Sequence, residues 1–133
     1  MRGSQVELAQ LIEYAERRGI RVEWHDIGTA NADYHHASRT IRLHPRRNVT
    51  VQRCALAHEL GHAWHGHEPG GHYEAQERAA DEYAAGLLIS AHEYRLAERL
   101  VGHYPGQIAQ ELGVTSRIVE AWCRMQARRG VVA

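Results

Sequence analysis

The sequence predicts an α+β domain: an N-terminal helix, a small two- or three-stranded sheet, and then helices to the end of the chain. Three observations predict it. Apolar residues recur near a 3.6-residue period before Gly19, then alternate at period two in short stretches up to Pro45, and return to helical spacing from Thr50 onward. The 133 residues suffice for one compact domain and are few for two. Residues 1–133 therefore read as a single unit, with 4–90 as its core and 91–133 as a helical extension.

From Ser4, a credible N-cap, Val6, Leu8, Leu11, Ile12 and Ala15 line one side of an opening helix that Gly19 stops. Ile20, Val22 and Trp24 alternate with Arg21, Glu23 and His25, as in a half-buried strand. Gly28 to Ala32 reads as a turn and Tyr34 to His36 as a short second strand. Arg39 to His44 alternates again, and Pro45, lacking an N–H, ends the ladder. The stretch from Thr50 to about Gly66 is apolar almost all round, which marks a buried helix. After the Pro69-Gly70-Gly71 turn, Tyr73 to Ile89 gives a second core helix. Ser90-Ala-His-Glu93 has capping-box form and restarts the chain as a helix through Leu100. Gln107–Leu112, Gly113 and Thr115–Arg128 then read as helix, turn, helix.

Composition narrows the function. All 16 cations are Arg, balanced by 16 acids, so no strong field favours nucleic acid or a membrane surface. No run approaches the roughly 18–20 apolar residues of a membrane span, and the beginning of the chain lacks the apolar core of a secretory signal. A cytoplasmic protein with no membrane partner is expected. Cys54 and Cys123 form no CxxC pair and read as free thiols. Eleven His residues invite a search for a metal site.

His58-Glu59-Leu60-Gly61-His62 matches HExxH. Two His one helical turn apart can present ring nitrogens to one ion, while Glu59 is placed to take a proton from a water activated there. A catalytic zinc wants a third protein ligand. The metzincin arrangement would need Gly at position 65 and a ligand His at position 68, but His65 and Glu68 stand there. Glu68 stays open as a ligand. Glu77 is the better candidate, because Glu77 and Asp81 share one face of the second core helix, where Asp81 could accept the free ring N–H of His58 or His62. His72 and Tyr73, in the connection between the two helices, are candidates for stabilising an oxyanion, with Tyr34 and His35 as rivals. The remaining histidines fall mostly at strand ends, in loops or on helix surfaces, and more than half of them read as solvated.

These motifs resemble the ImmA/IrrE family of small, gluzincin-like zinc metallopeptidases over most of the chain. Ile41 and Leu43 resemble its strand before the site, Ala57-His-Glu-Leu-Gly-His62 its AHELGH, and Glu77-xx-Ala-Asp-x-Tyr-Ala-xx-Leu-Leu88 its ExxANxFAxxLL helix. Ala79, Tyr83 and Ser90 depart from the residues most frequent at those places. The resemblance implies a zincin-like fold, Zn2+ and endopeptidase action, often on a helix-turn-helix repressor of a phage or mobile element.

The leading expectation is therefore a zinc endopeptidase with ligands His58, His62 and Glu77, base Glu59, and a protein substrate such as a transcriptional repressor. An extended substrate is expected to add to the sheet edge along Arg39–Leu43. The alternative is a DNA-binding or repressor-binding regulatory module whose metal site is structural or inactive. Charge argues against direct DNA binding: residues 91–133 hold six Arg and four Glu, net +2. The last two helices are expected to cap the core or dock a protein.

Overall fold

The computed structural model describes residues 6–67 and 73–130. Among these, six helices and one three-stranded sheet form the α+β architecture that the periodicities predict. No helix among the described residues is long and apolar enough to cross a membrane.

Helix α1 spans Leu8–Arg17 and buries Leu11 and Ala15, one turn apart. It begins at Glu7, whose N–H is accepted by the Gln10 side chain at 2.8 Å; Ser4, the expected cap, lies outside the described residues. Gly19 adopts φ +76°, so the Ile20 N–H folds back onto Ala15 O at 3.0 Å and closes the helix end. The chain leaves directly into β1, Arg21–Trp24, followed by β2, Ala32–His35, and β3, Thr40–Leu43.

The strand order is β1-β3-β2, with β1 parallel and β2 antiparallel to β3. This corrects one expectation. Thr40–Leu43 is the central strand, its backbone groups are used on both sides, and Ile41 and Leu43 are fully buried, so a substrate cannot add along it. The open edges belong to β1 and β2. The reason is topological: a tight turn at Arg39 returns β3 between its two predecessors, and alternation within a strand is blind to its neighbours.

Helix α2, Val49–His65, starts on Asn48, whose side-chain oxygen accepts the Val51 N–H at 2.9 Å, and ends at Gly66 with φ +70°. Helix α3, Glu74–Leu88, packs along it more extensively than any other pair of elements. Gly61 makes this possible. A Cβ there would stand 2.8 Å from both the Cα and the O of Ala80, so the two helices meet backbone to backbone at that point. Helix α4, Ala91–Val101, opens with the expected capping box: Ser90 Oγ accepts the Glu93 N–H at 3.1 Å and Glu93 Oε1 accepts the Ser90 N–H at 3.3 Å.

Helices α5, Pro105–Leu112, and α6, Ser116–Arg128, turn about Gly113, which has φ +69°. Their apolar residues do not form a separate small core. Ile108, Leu112, Val114, Ile118, Val119 and Trp122 belong to the same buried cluster as Leu56, Leu60 and Leu88, and α6 packs along α3. Arg53, buried on α2, ties the ends together by donating to Val6 O at 2.7 Å and Gly113 O at 2.5 Å. Both cysteines are free.

Candidate metal centre

The side chains that face α3 from α2 follow from the helix period. His58 and His62 are four residues apart and project from one face, while Gly61, between them, admits α3 at close range. From α3, Glu77 reaches across: its Oε2 lies 2.9 Å from His58 Nε2 and its Oε1 3.1 Å from His62 Nε2. The two Nε2 atoms are themselves 3.1 Å apart. One ligand atom from each of His58, His62 and Glu77 thus falls in a cluster compact enough to hold an ion.

The chemistry of this donor set fits a divalent cation. Asp81, 5% exposed, accepts from His58 Nδ1 at 2.7 Å. Burial favours its neutral form, yet hydrogen bonds and charge from His58 and Arg117 outweigh this and hold its carboxyl below the ordinary value of 3.8. An ionised Asp81 can only accept, so His58 carries its proton on Nδ1 and turns the Nε2 lone pair toward His62 and Glu77. On His62, Nδ1 lies 2.9 Å from His67 Nδ1 and can donate there, which likewise frees Nε2. Lone pairs converging at about 3 Å repel unless a proton or a cation lies among them. Tetrahedral zinc with ligands at about 2.0–2.1 Å sets neighbouring donor atoms about 3.3 Å apart, close to the spacing found.

Glu59 differs from the other carboxylates. It stands beside His58, its nearer oxygen 4.0 Å from His58 Nε2, and its side chain is 13% exposed. Burial pushes its pKa from 4.5 up to about 7; the charge of His58 pulls down, while Glu77 and Asp33 push further up. For His58, burial alone would lower the pKa, but the Asp81 hydrogen bond and the charges of Glu59, Asp81 and Glu77 raise it. His62 goes the other way, lowered by burial and by the neighbouring charge of His58.

His58, Glu59 and Asp81 line a cleft of about 420 Å³, walled otherwise by Thr29–Ala32 leading into β2, by Val51, Cys54 and Ala55 of α2, and by Thr115, Arg117 and Ile118.

Of the residues singled out in the sequence, His58, Glu59, His62, Glu77 and Asp81 come together here. Tyr73 stands at the start of α3, one turn before Glu77, and is 67% exposed. His72 and Glu68 lie outside the described residues. Of the rivals, Tyr34 is buried with its hydroxyl on His36 Nδ1 at 3.0 Å, and His35 is an exposed neighbour of Asp33. Sequence reasoning missed two participants. His67 carries no motif and falls among the histidines given no role by the sequence, yet it meets His62 around the end of α2. Arg117 belongs to none of the motifs in the sequence, yet its Nε donates to Asp81 Oδ2 at 2.6 Å. A signal for the second was present in the charges: α3 carries acids beside its ligand and α6 carries Arg at helical spacing.

Comparison with known proteins adds a family. The family model described as IrrE N-terminal-like domain, Peptidase_M78, matches residues 15–122, most of the chain and all of the cluster. Neither the curated proteins nor the solved structures yielded a match.

Proposed function

Because the chain belongs to the IrrE N-terminal-like Peptidase_M78 family, we propose that it is a zinc-dependent endopeptidase of the cytoplasm that cleaves a regulatory protein, such as a helix-turn-helix repressor. The observation that carries this reading is the convergence of His58 Nε2, His62 Nε2 and the Glu77 carboxylate beside the buried Glu59, whose proton affinity burial raises.

His58, His62 and Glu77 would hold the ion, leaving a position open toward the cleft. Zinc, when bound, supplies Lewis acidity to the attacking water and to the scissile carbonyl. Glu59 takes the proton of that water and returns it to the departing amine, a task that suits a carboxyl group lifted toward neutrality by burial. Asp81 keeps His58 in the Nδ1–H tautomer. Tyr73 and His72 are the candidates for donating to the developing oxyanion. The substrate enters the cleft between the Thr29–Ala32 wall and α2, and any strand addition is at an outer strand of the sheet and not at β3. Direct DNA reading is disfavoured because Arg117, Arg124 and Arg128 on α6 are engaged with Asp81 and Glu82 of α3.

The test separates metal from base. Protein purified without added metal should carry one zinc per chain, and His62→Ala and Glu77→Ala should each lose it. Glu59→Gln should retain zinc while cleavage falls by orders of magnitude, about 10²-fold or more for loss of a general base. Full cleavage by Glu59→Gln would refute the mechanism.

A further inference from the structure

Resting on the metal-centre reading above, we propose that Arg117 is a positioning residue of that centre, through which the C-terminal helix α6 holds the ligand His58 in place. The geometry is a chain of three side chains from three helices. Asp81 divides its two oxygens: Oδ1 receives His58 Nδ1 at 2.7 Å and Oδ2 receives Arg117 Nε at 2.6 Å. Arg117 Nη2 lies 3.9 Å from Glu77 Oε2, so the same guanidinium also faces the third ligand.

The physical reason is orientation. A carboxylate held at one oxygen can swing about its Cβ–Cγ bond; held at both, by a ring N–H on one side and a guanidinium on the other, it has one orientation. Asp81 is 5% exposed, so loss of Arg117 would leave half of a buried carboxylate uncompensated, and the simplest relief is to turn away from His58 or take up a proton. Either relief removes what fixes the His58 tautomer. Arg117 is itself well anchored at its base: Ile118 and Val119, its next two neighbours, are buried at 2% and 0% exposure. The C-terminal segment is thereby part of the metal centre without touching the metal.

Helix α6 contains its own control. Arg124 and Arg128 also pair with an acid of α3, but with Glu82, whose side chain has no contact with His58 among the described interactions. Zinc affinity is measured by chelator competition on the full chain, with the visible spectrum of the cobalt-substituted protein and the thermal midpoint of the metal-free form as further readouts. Arg117→Ala should weaken zinc binding about tenfold or more and alter the cobalt spectrum. Arg117→Lys should recover part of the loss, and Arg124→Ala should change affinity less than about twofold. In an Asp81→Asn background, Arg117→Ala should add nothing, because the relay is already cut. Unchanged affinity in both Arg117 variants, with the wild type binding zinc normally, would overturn the proposal, as would fully additive losses with Asp81→Asn. A wild-type chain that binds neither metal would instead overturn the metal-centre reading, and this inference with it.

Discussion

Helix α3 has two seams, and they are built on different physics. Against α2 it meets backbone at Gly61 and Ala80, with no space for a Cβ, and delivers Glu77 to within about 3 Å of two imidazoles. Against α6, whose Val119 and Trp122 are buried in the common core, it offers Asp81 and Glu82 to three arginines. The first seam works by contact, whose energy rises steeply over tenths of an ångström. The second adds charge, which varies gently with distance and is screened by water where exposed. Ligand placement therefore depends on the unforgiving seam, while the α6 seam holds the centre from behind and can be tuned.

The largest effect is expected where the second seam stops being ionic. Trp122, 5% exposed, anchors α6 in the core by stacking on Tyr94 of α4 with ring centroids 4.3 Å apart. Trp122→Ala should cost about 3–5 kcal/mol in denaturant unfolding, as for other large-to-small core changes. A cost under 1 kcal/mol would mean that charge, not burial, holds α6.

The next effect should come from the contact seam. Gly61→Ala places a Cβ at 2.8 Å from Ala80 backbone and must push α3 outward, costing about 1–3 kcal/mol. Its sharper signature is functional: zinc affinity should fall more than stability does, because Glu77 moves away from His58 and His62 together. Wild-type affinity in Gly61→Ala would show that the helices can separate without disturbing the ligands.

The smallest effect concerns pH. Hydrogen bonds from Arg128 and Arg124 hold Glu82 below its ordinary value of 4.5, and His58 and Arg117 outweigh burial to hold Asp81 below 3.8. A carboxylate lowered in the folded state stabilises it fully above the unfolded value and loses that contribution as pH falls through the folded one. The metal-free chain should thus lose thermal stability progressively below about pH 4.5. Glu82→Gln should flatten that slope with zinc affinity at neutral pH unchanged. A slope as steep as wild type would remove Glu82 from the account, and lowered zinc affinity would tie the two ends of the α6 seam together.

Much of this protein was legible in the sequence, because helices and strands are announced by periods that any window of ten residues contains. The boundaries of α2 through α6 fall within a few residues of the expected ones, and the HExxH spacing together with Glu77 and Asp81 on one helical face named the residues that converge. The strand order, the placement of α6 and the two unforeseen supports of the site belong to the tertiary structure. Arg117 and Asp81 are 36 residues apart, and nothing near either one marks the other as its partner. His67 follows the end of α2, where the turn through Gly66, and not any helical period, sets the direction of its ring. Thr40–Leu43 alternates like an edge strand, but only the packing of three strands shows that it is the central one. Periodicity is a property of one segment and encodes which face is buried; which segment covers that face is decided when the elements compete to bury it, and that contest involves the whole chain at once.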